Sequence, residues 1–108
     1  MTVSVFVDGA GGEKSGFGFF IKETGESFYE EKPNITNNQA EYLAIISALK
    51  KFQDFSDQIV IFSDSKNTVN QLNHEFAINN EQLRSLARES WSLIAKFSNL
   101  KLRWVPRS

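Results

Sequence analysis

Residues 36–52 read TNNQAEYLAIISALKKF, and the interpretation of this stretch frames the rest of the chain. Thr36, followed three residues later by Gln39, has the pattern of a capping box, in which the two side chains satisfy backbone N–H groups at a helix start. Ala40, Leu43, Ala44, Ile45, Ile46, Ala48, Leu49 and Phe52 then crowd the helix with apolar side chains. A helix apolar over so much of its circumference is expected inside a core. Glu41 falls in the first turn, and Ile45, Ala48 and Phe52 follow it down one side. The carboxylate thus heads an apolar stripe, where ionisation is costly unless a cation compensates it. The plainer alternative is that Glu41 only complements the helix dipole at an exposed first turn.

The composition sets bounds on what this helix can belong to. A chain of 108 residues, 41% of them hydrophobic, is expected to form one globular domain over residues 1–108 with a modest core. No apolar run reaches membrane-spanning length and no signal peptide pattern follows Met1, so a soluble cytoplasmic protein without membrane partners is expected. The absence of cysteine excludes disulfides and thiolate metal sites. The net charge of −1 is unevenly spread: residues 1–83 carry 6 basic against 12 acidic side chains, and residues 84–108 carry 6 against 1. Such asymmetry suits cations at the acidic part and an anionic partner at the basic end, although taken by itself a solvated helix face plus scatter accounts for it better.

Upstream of the helix, residues 3–7 alternate Val3, Val5 and Val7 with Ser4, Phe6 and Asp8, which predicts a strand with Phe6 and Asp8 on one face. Gly9, Gly11, Gly12 and Gly16 read as a loose connection of hairpin glycines; their spacing is not that of a phosphate-binding loop. Residues 16–22 and 26–31 form two further strands around a turn at Glu23-Thr24-Gly25. Downstream, residues 58–63 (QIVIFS) predict a buried strand, with Val60, Phe62 and Asp64 on one face. A short helix over residues 65–73, a longer one capped by Asn79 or Asn80 and running to Phe97, and a strand over residues 100–105 complete the chain. Trp104 is expected in the sheet core, Trp91 in helix packing and His74 at the surface.

The order β-β-β-α-β-α-α-β predicts an α/β fold with a five-stranded mixed sheet. If the strand of residues 58–63 lies parallel to the first and beside it, Asp8 and Asp64 emerge together at the carboxyl edge, where open α/β sheets bind ligands. Glu41 then joins them from the helix above. Three carboxylates so placed repel one another and favour a cation. Oxygen ligands without Cys or clustered His select Mg²⁺ or Mn²⁺, and two such ions suit phosphoryl transfer to water.

The segments VFVDGAG, TNNQAEYLAIISAL, IVIFSDS and LRWVP, in this order, resemble ribonuclease H of type 1 along nearly the whole chain. The resemblance implies hydrolysis of the RNA strand of an RNA/DNA hybrid, leaving a 5′-phosphate and a 3′-hydroxyl, with Asp8, Glu41 and Asp64 as catalytic and metal-binding carboxylates for two ions. It further implies that Asn37, Asn38 and Gln39 approach the minor groove of the hybrid, where 2′-hydroxyls mark the RNA strand. Thr36 corresponds to a position that helps to hold a DNA phosphate, and Gly9 and Ser65 flank the carboxylates as further substrate-side positions. The family has a fourth carboxylate, an Asp in a helix beyond the WVP strand, and no Asp follows Asp64 in this sequence. The final helix is therefore expected to be missing, leaving part of one sheet face open for a second copy of the chain to cover. A non-catalytic module that binds nucleic acid, or serves in assembly, is the alternative reading.

Overall fold

The computed structural model describes residues 2–55 and 57–107. Its elements are β1 (Thr2–Ala10), β2 (Gly16–Ile21), β3 (Ser27–Glu31), α1 (Asn37–Lys51), β4 (Gln58–Ser63), α2 (Lys66–Leu72), α3 (Glu81–Ile94) and β5 (Leu100–Trp104). The strands form one mixed sheet in the order β3-β2-β1-β4-β5, with β1 antiparallel to β2 and parallel to β4. Val7 pairs with Ser63, so Asp8 and Asp64 are the next residues on two adjacent parallel strands. The expected element order and mixed sheet are both present.

Helix α1 is the core of the molecule. The capping box forms as the sequence implies: Gln39 N–H donates to Thr36 Oγ1 (3.1 Å), and Thr36 N–H donates to Gln39 Oε1 (2.9 Å). Ala44, Ile45 and Ala48 are fully buried and Ile46 and Leu49 nearly so, because one side of α1 lies on β1 and β2 while α3 covers the other. That double coverage explains a helix apolar nearly all round. Val3, Val5, Ile59, Ile61 and Leu102 supply the sheet side of the same cluster, and Val69 and Leu72 of α2 join it from above. The three helices therefore share one face of the sheet. On the other face Phe6 stacks on Phe62 with centroids 4.9 Å apart, and Phe6 and Phe20 remain exposed.

Two expectations are corrected. Gly9 is not part of a loose connection: β1 runs on to Ala10, with Gly9 paired to Phe17 and Ala10 to Gly16, and the connection that holds Gly11 and Gly12 is confined to residues 11–15. The reason is close approach. A Cβ on Gly9 would lie 2.4 Å from the carbonyl carbon of Ala40, and one on Gly11 would lie 2.4 Å from the backbone nitrogen of Asn37. Only glycine lets the first turn of α1 rest against the β1 backbone. Trp104 is not sheet core; it is 44% exposed, at the carboxyl end of an edge strand beyond the cover of the helices. Its indole N–H donates to the backbone oxygen of Asp64 (3.2 Å), with the Lys66 ammonium above the ring.

The close approach at Gly9 makes Gly9→Ala a sharp test. The added methyl meets backbone, which cannot rotate away, so the substitution should lower unfolding free energy by about 2 kcal/mol or more. Urea denaturation would measure this, and a loss below about 0.5 kcal/mol would mean that α1 shifts freely on the sheet.

Candidate active site

Asp8, Glu41 and Asp64 converge at the carboxyl edge of the sheet. One carboxylate oxygen from each lies within 4.8 Å of the others. Asp8 leaves β1 exposed to solvent, Asp64 is half-buried just past β4, and Glu41, expected in the first turn of α1, is the fifth residue of that helix, just past the first turn, and is 5% exposed. The burial of Glu41 excludes the reading in which it merely decorates an exposed turn. Two donors hold it in place: Gly9 N–H donates to Oε1 (3.1 Å) and Ser63 Oγ donates to Oε2 (3.2 Å). The glycine that admits α1 thus also orients the buried carboxylate.

The electrostatics of this arrangement are unfavourable without a cation. Burial, then the charge of Asp64 and, more weakly, that of Asp8, push the Glu41 carboxyl up to about 7, against the partial relief of the Gly9 N–H. Asp64 Oδ1 is buried and has no hydrogen-bond partner. Its other oxygen, Oδ2, accepts from Arg107 Nε at 2.8 Å. An orphaned carboxylate oxygen beside two further carboxylates is an oxygen-only donor set, and it fits a hard divalent cation.

The other positions singled out in the sequence lie around this cluster in different circumstances. Thr36 is the N-cap, and its hydroxyl is committed to the capping box. Asn37 Oδ1 accepts from Gly11 N–H (2.6 Å), and the Gln39 amide is divided between the Thr36 backbone and Gln82 Oε1 (2.8 Å). Asn38 is exposed in the first turn of α1. Ser65 is the N-cap of α2, not part of the helix: its hydroxyl donates to Thr68 Oγ1 and accepts from Thr68 N–H. Arg107 and Ser63 were not singled out. Both were accessible to reasoning from register, since Ser63 pairs with Trp104 and a basic residue soon after that strand must pass near Asp64.

The fold is that of ribonuclease H. The structure superposes on the crystal structure of RNase H1 from the halophilic archaeon Halobacterium salinarum with a TM-score of 0.88, at 30% identity, covering 99% of this chain and 87% of that one. It also superposes on LC11-RNase H1, solved in complex with an RNA/DNA hybrid, with a TM-score of 0.86 at 21% identity, covering 97% of this chain and 86% of that one. In sequence, the reverse transcriptase-like family model matches residues 13–108. A curated relative, ribonuclease HI of Halobacterium salinarum, is 34% identical over 95 residues, which is 87% of this chain. The chain belongs to the ribonuclease H family. It spans about half, 46%, of the length of that curated relative. Among the described residues no helix is long and apolar enough to cross a membrane.

The raised pKa of Glu41 has a definite sign. Folding tightens its hold on a proton, so the contribution of Glu41 to stability is full below about pH 4.5 and is lost as pH rises through about 7. In metal-free buffer the loss should be on the order of 2–3 kcal/mol. Glu41→Gln cannot ionise, so it should match the parent protein near pH 4 and exceed it in stability at pH 8. Chemical denaturation at both pH values checks this, and equal stabilities at pH 8 would contradict it.

Proposed function

We propose that this chain is an endoribonuclease that hydrolyses the RNA strand of RNA/DNA hybrids with Mg²⁺ or Mn²⁺, by in-line attack of water, leaving a 5′-phosphate and a 3′-hydroxyl. The observation that carries the proposal is the convergence of Asp8, Glu41 and Asp64 within 4.8 Å, with one Asp64 oxygen unpartnered. A ribonuclease HI relative and a family neighbour captured on an RNA/DNA hybrid support the choice of substrate.

Two divalent ions shared by the carboxylates would supply an activated water and charge neutralisation at the leaving oxygen. The protein's own contribution is placement. Glu41 is fixed from below by Gly9 N–H and the Ser63 hydroxyl, while Asp8 faces solvent, where the scissile phosphate must arrive. Asp64 is held through its backbone by Trp104. Asn38, in the exposed first turn of α1, offers both a donor and an acceptor to 2′-hydroxyls. Asn37 and Gln39 keep donor or acceptor capacity beyond their internal bonds, and Thr36 with Gly9 and Ser65 lines the approach. A binding module without turnover is favoured by a single observation: three carboxylates, not four, converge among the described residues.

A labelled hybrid should be cut in Mg²⁺ or Mn²⁺ while RNA/RNA is spared. Asp8→Asn should abolish the cutting yet keep or raise stability, because it removes carboxylate repulsion. Intact hybrid binding without cleavage by the parent protein would establish the binding module instead. Millimolar Mg²⁺ should raise the melting temperature through preferential binding to the native state; an unchanged melting temperature would count against the metal site.

A further inference from the structure

We propose that Arg107 is an internal counter-ion of the carboxylate cluster, seated on Asp64 in the metal-free protein, and that a divalent cation must displace it to bind. The inference rests on the metal site proposed above and concerns what stands in the way of the ion. Arg107 Nε lies 2.8 Å from Asp64 Oδ2, which leaves only the orphaned Oδ1 of that carboxylate free. The placement follows from the backbone. Val105 N–H donates to Ser63 O (2.9 Å), extending the β5 pairing, and the Trp104 indole donates to Asp64 O (3.2 Å). Pro106 then restricts the turn that follows. The guanidinium is thereby tethered to the end of β4, which Asp64 follows.

The two partners differ in exposure. The Arg107 side chain is 75% exposed and that of Asp64 18%, so the arginine can swing into water while the carboxylate stays. Asp64 lies with Asp8 and Glu41 in one carboxylate cluster, so the guanidinium seated on Asp64 sits in the field of all three. Lys66, the neighbouring cation, is engaged 5.6 Å above the Trp104 ring instead. A divalent ion on the same oxygens would meet the guanidinium as a like charge, so the two are mutually exclusive or strongly anticooperative. Because an exposed ion pair is weak, the barrier to displacement is modest and sets a threshold ion concentration without blocking the site.

Calorimetric titration of Mn²⁺ into the parent protein and Arg107→Gln, in low salt at pH 8, tests the inference without reference to cleavage. Arg107→Gln should bind Mn²⁺ roughly three- to tenfold more tightly. It should melt roughly 2–4 °C lower than the parent in EDTA, and the two should converge at saturating Mn²⁺. Arg107→Lys, which retains the charge without the planar fork, should fall between them. Equal or weaker Mn²⁺ binding by Arg107→Gln overturns the inference while leaving the metal site standing. Absence of Mn²⁺ binding in all three proteins overturns the metal site itself, and this inference with it.

Discussion

The first turn of α1 rests directly on the backbone of β1 at Gly9 and of the connection after it at Gly11, and most of the architecture depends on that contact. It sets how deep the helix sits, and hence which of its residues are buried between the sheet and α3. It brings the Gly9 N–H under the Glu41 carboxylate, so a packing constraint and an orienting hydrogen bond share one residue. A bulkier residue at either position would lift the helix and carry the carboxylate away from Asp8 and Asp64. Glycine lowers the intrinsic stability of a strand, and here that cost secures the geometry of the site.

Above this contact, charge works against packing. The core formed by α1, α3 and the inner face of the sheet is apolar and well filled, yet it holds one carboxylate buried and two others beside it. Part of the repulsion is relieved by the partial protonation of Glu41 near neutrality and part by the guanidinium on Asp64. Polar groups that depart from the local rules of burial and are held there by a rigid surround are the mark of a site kept for chemistry, not for stability.

Much of this arrangement was legible in the chain itself. The capping box, the all-round apolar helix and the alternation around Phe6 and Asp8 each rest on local periodicity, and the corresponding elements formed close to the expected boundaries. The meeting of Asp8, Glu41 and Asp64 could also be anticipated, because an Asp at the carboxyl edge of each of two parallel neighbouring strands leaves few other arrangements. What escaped the sequence was tertiary. Gly9 and Gly11 look like flexible linkers until the helix that presses on them is in place. Trp104 looks like core because alternation says which face a residue takes, not how far the helices extend over it. Arg107 was one basic residue among several until register set it beside Asp64. The amides of Asn37 and Gln39 likewise gave no sign of the internal partners that occupy them.

The pairing of β1 with β4 has a kinetic consequence. These parallel strands come from distant parts of the chain, and between them lie β2, β3 and the whole of α1. Such long-range pairing carries a loop-closure cost that local hairpins and helices do not. If it closes after them, the clustered carboxylates meet only once much of the hydrophobic surface is buried, and their repulsion acts on the finished state more than on the route to it. An interaction absent from the transition state alters the rate of unfolding and leaves the rate of folding nearly untouched. On that order of events the charge cluster would shorten the lifetime of the native molecule without slowing its formation. An ion bound there would act as a latch on a structure already complete, not as a template for building it.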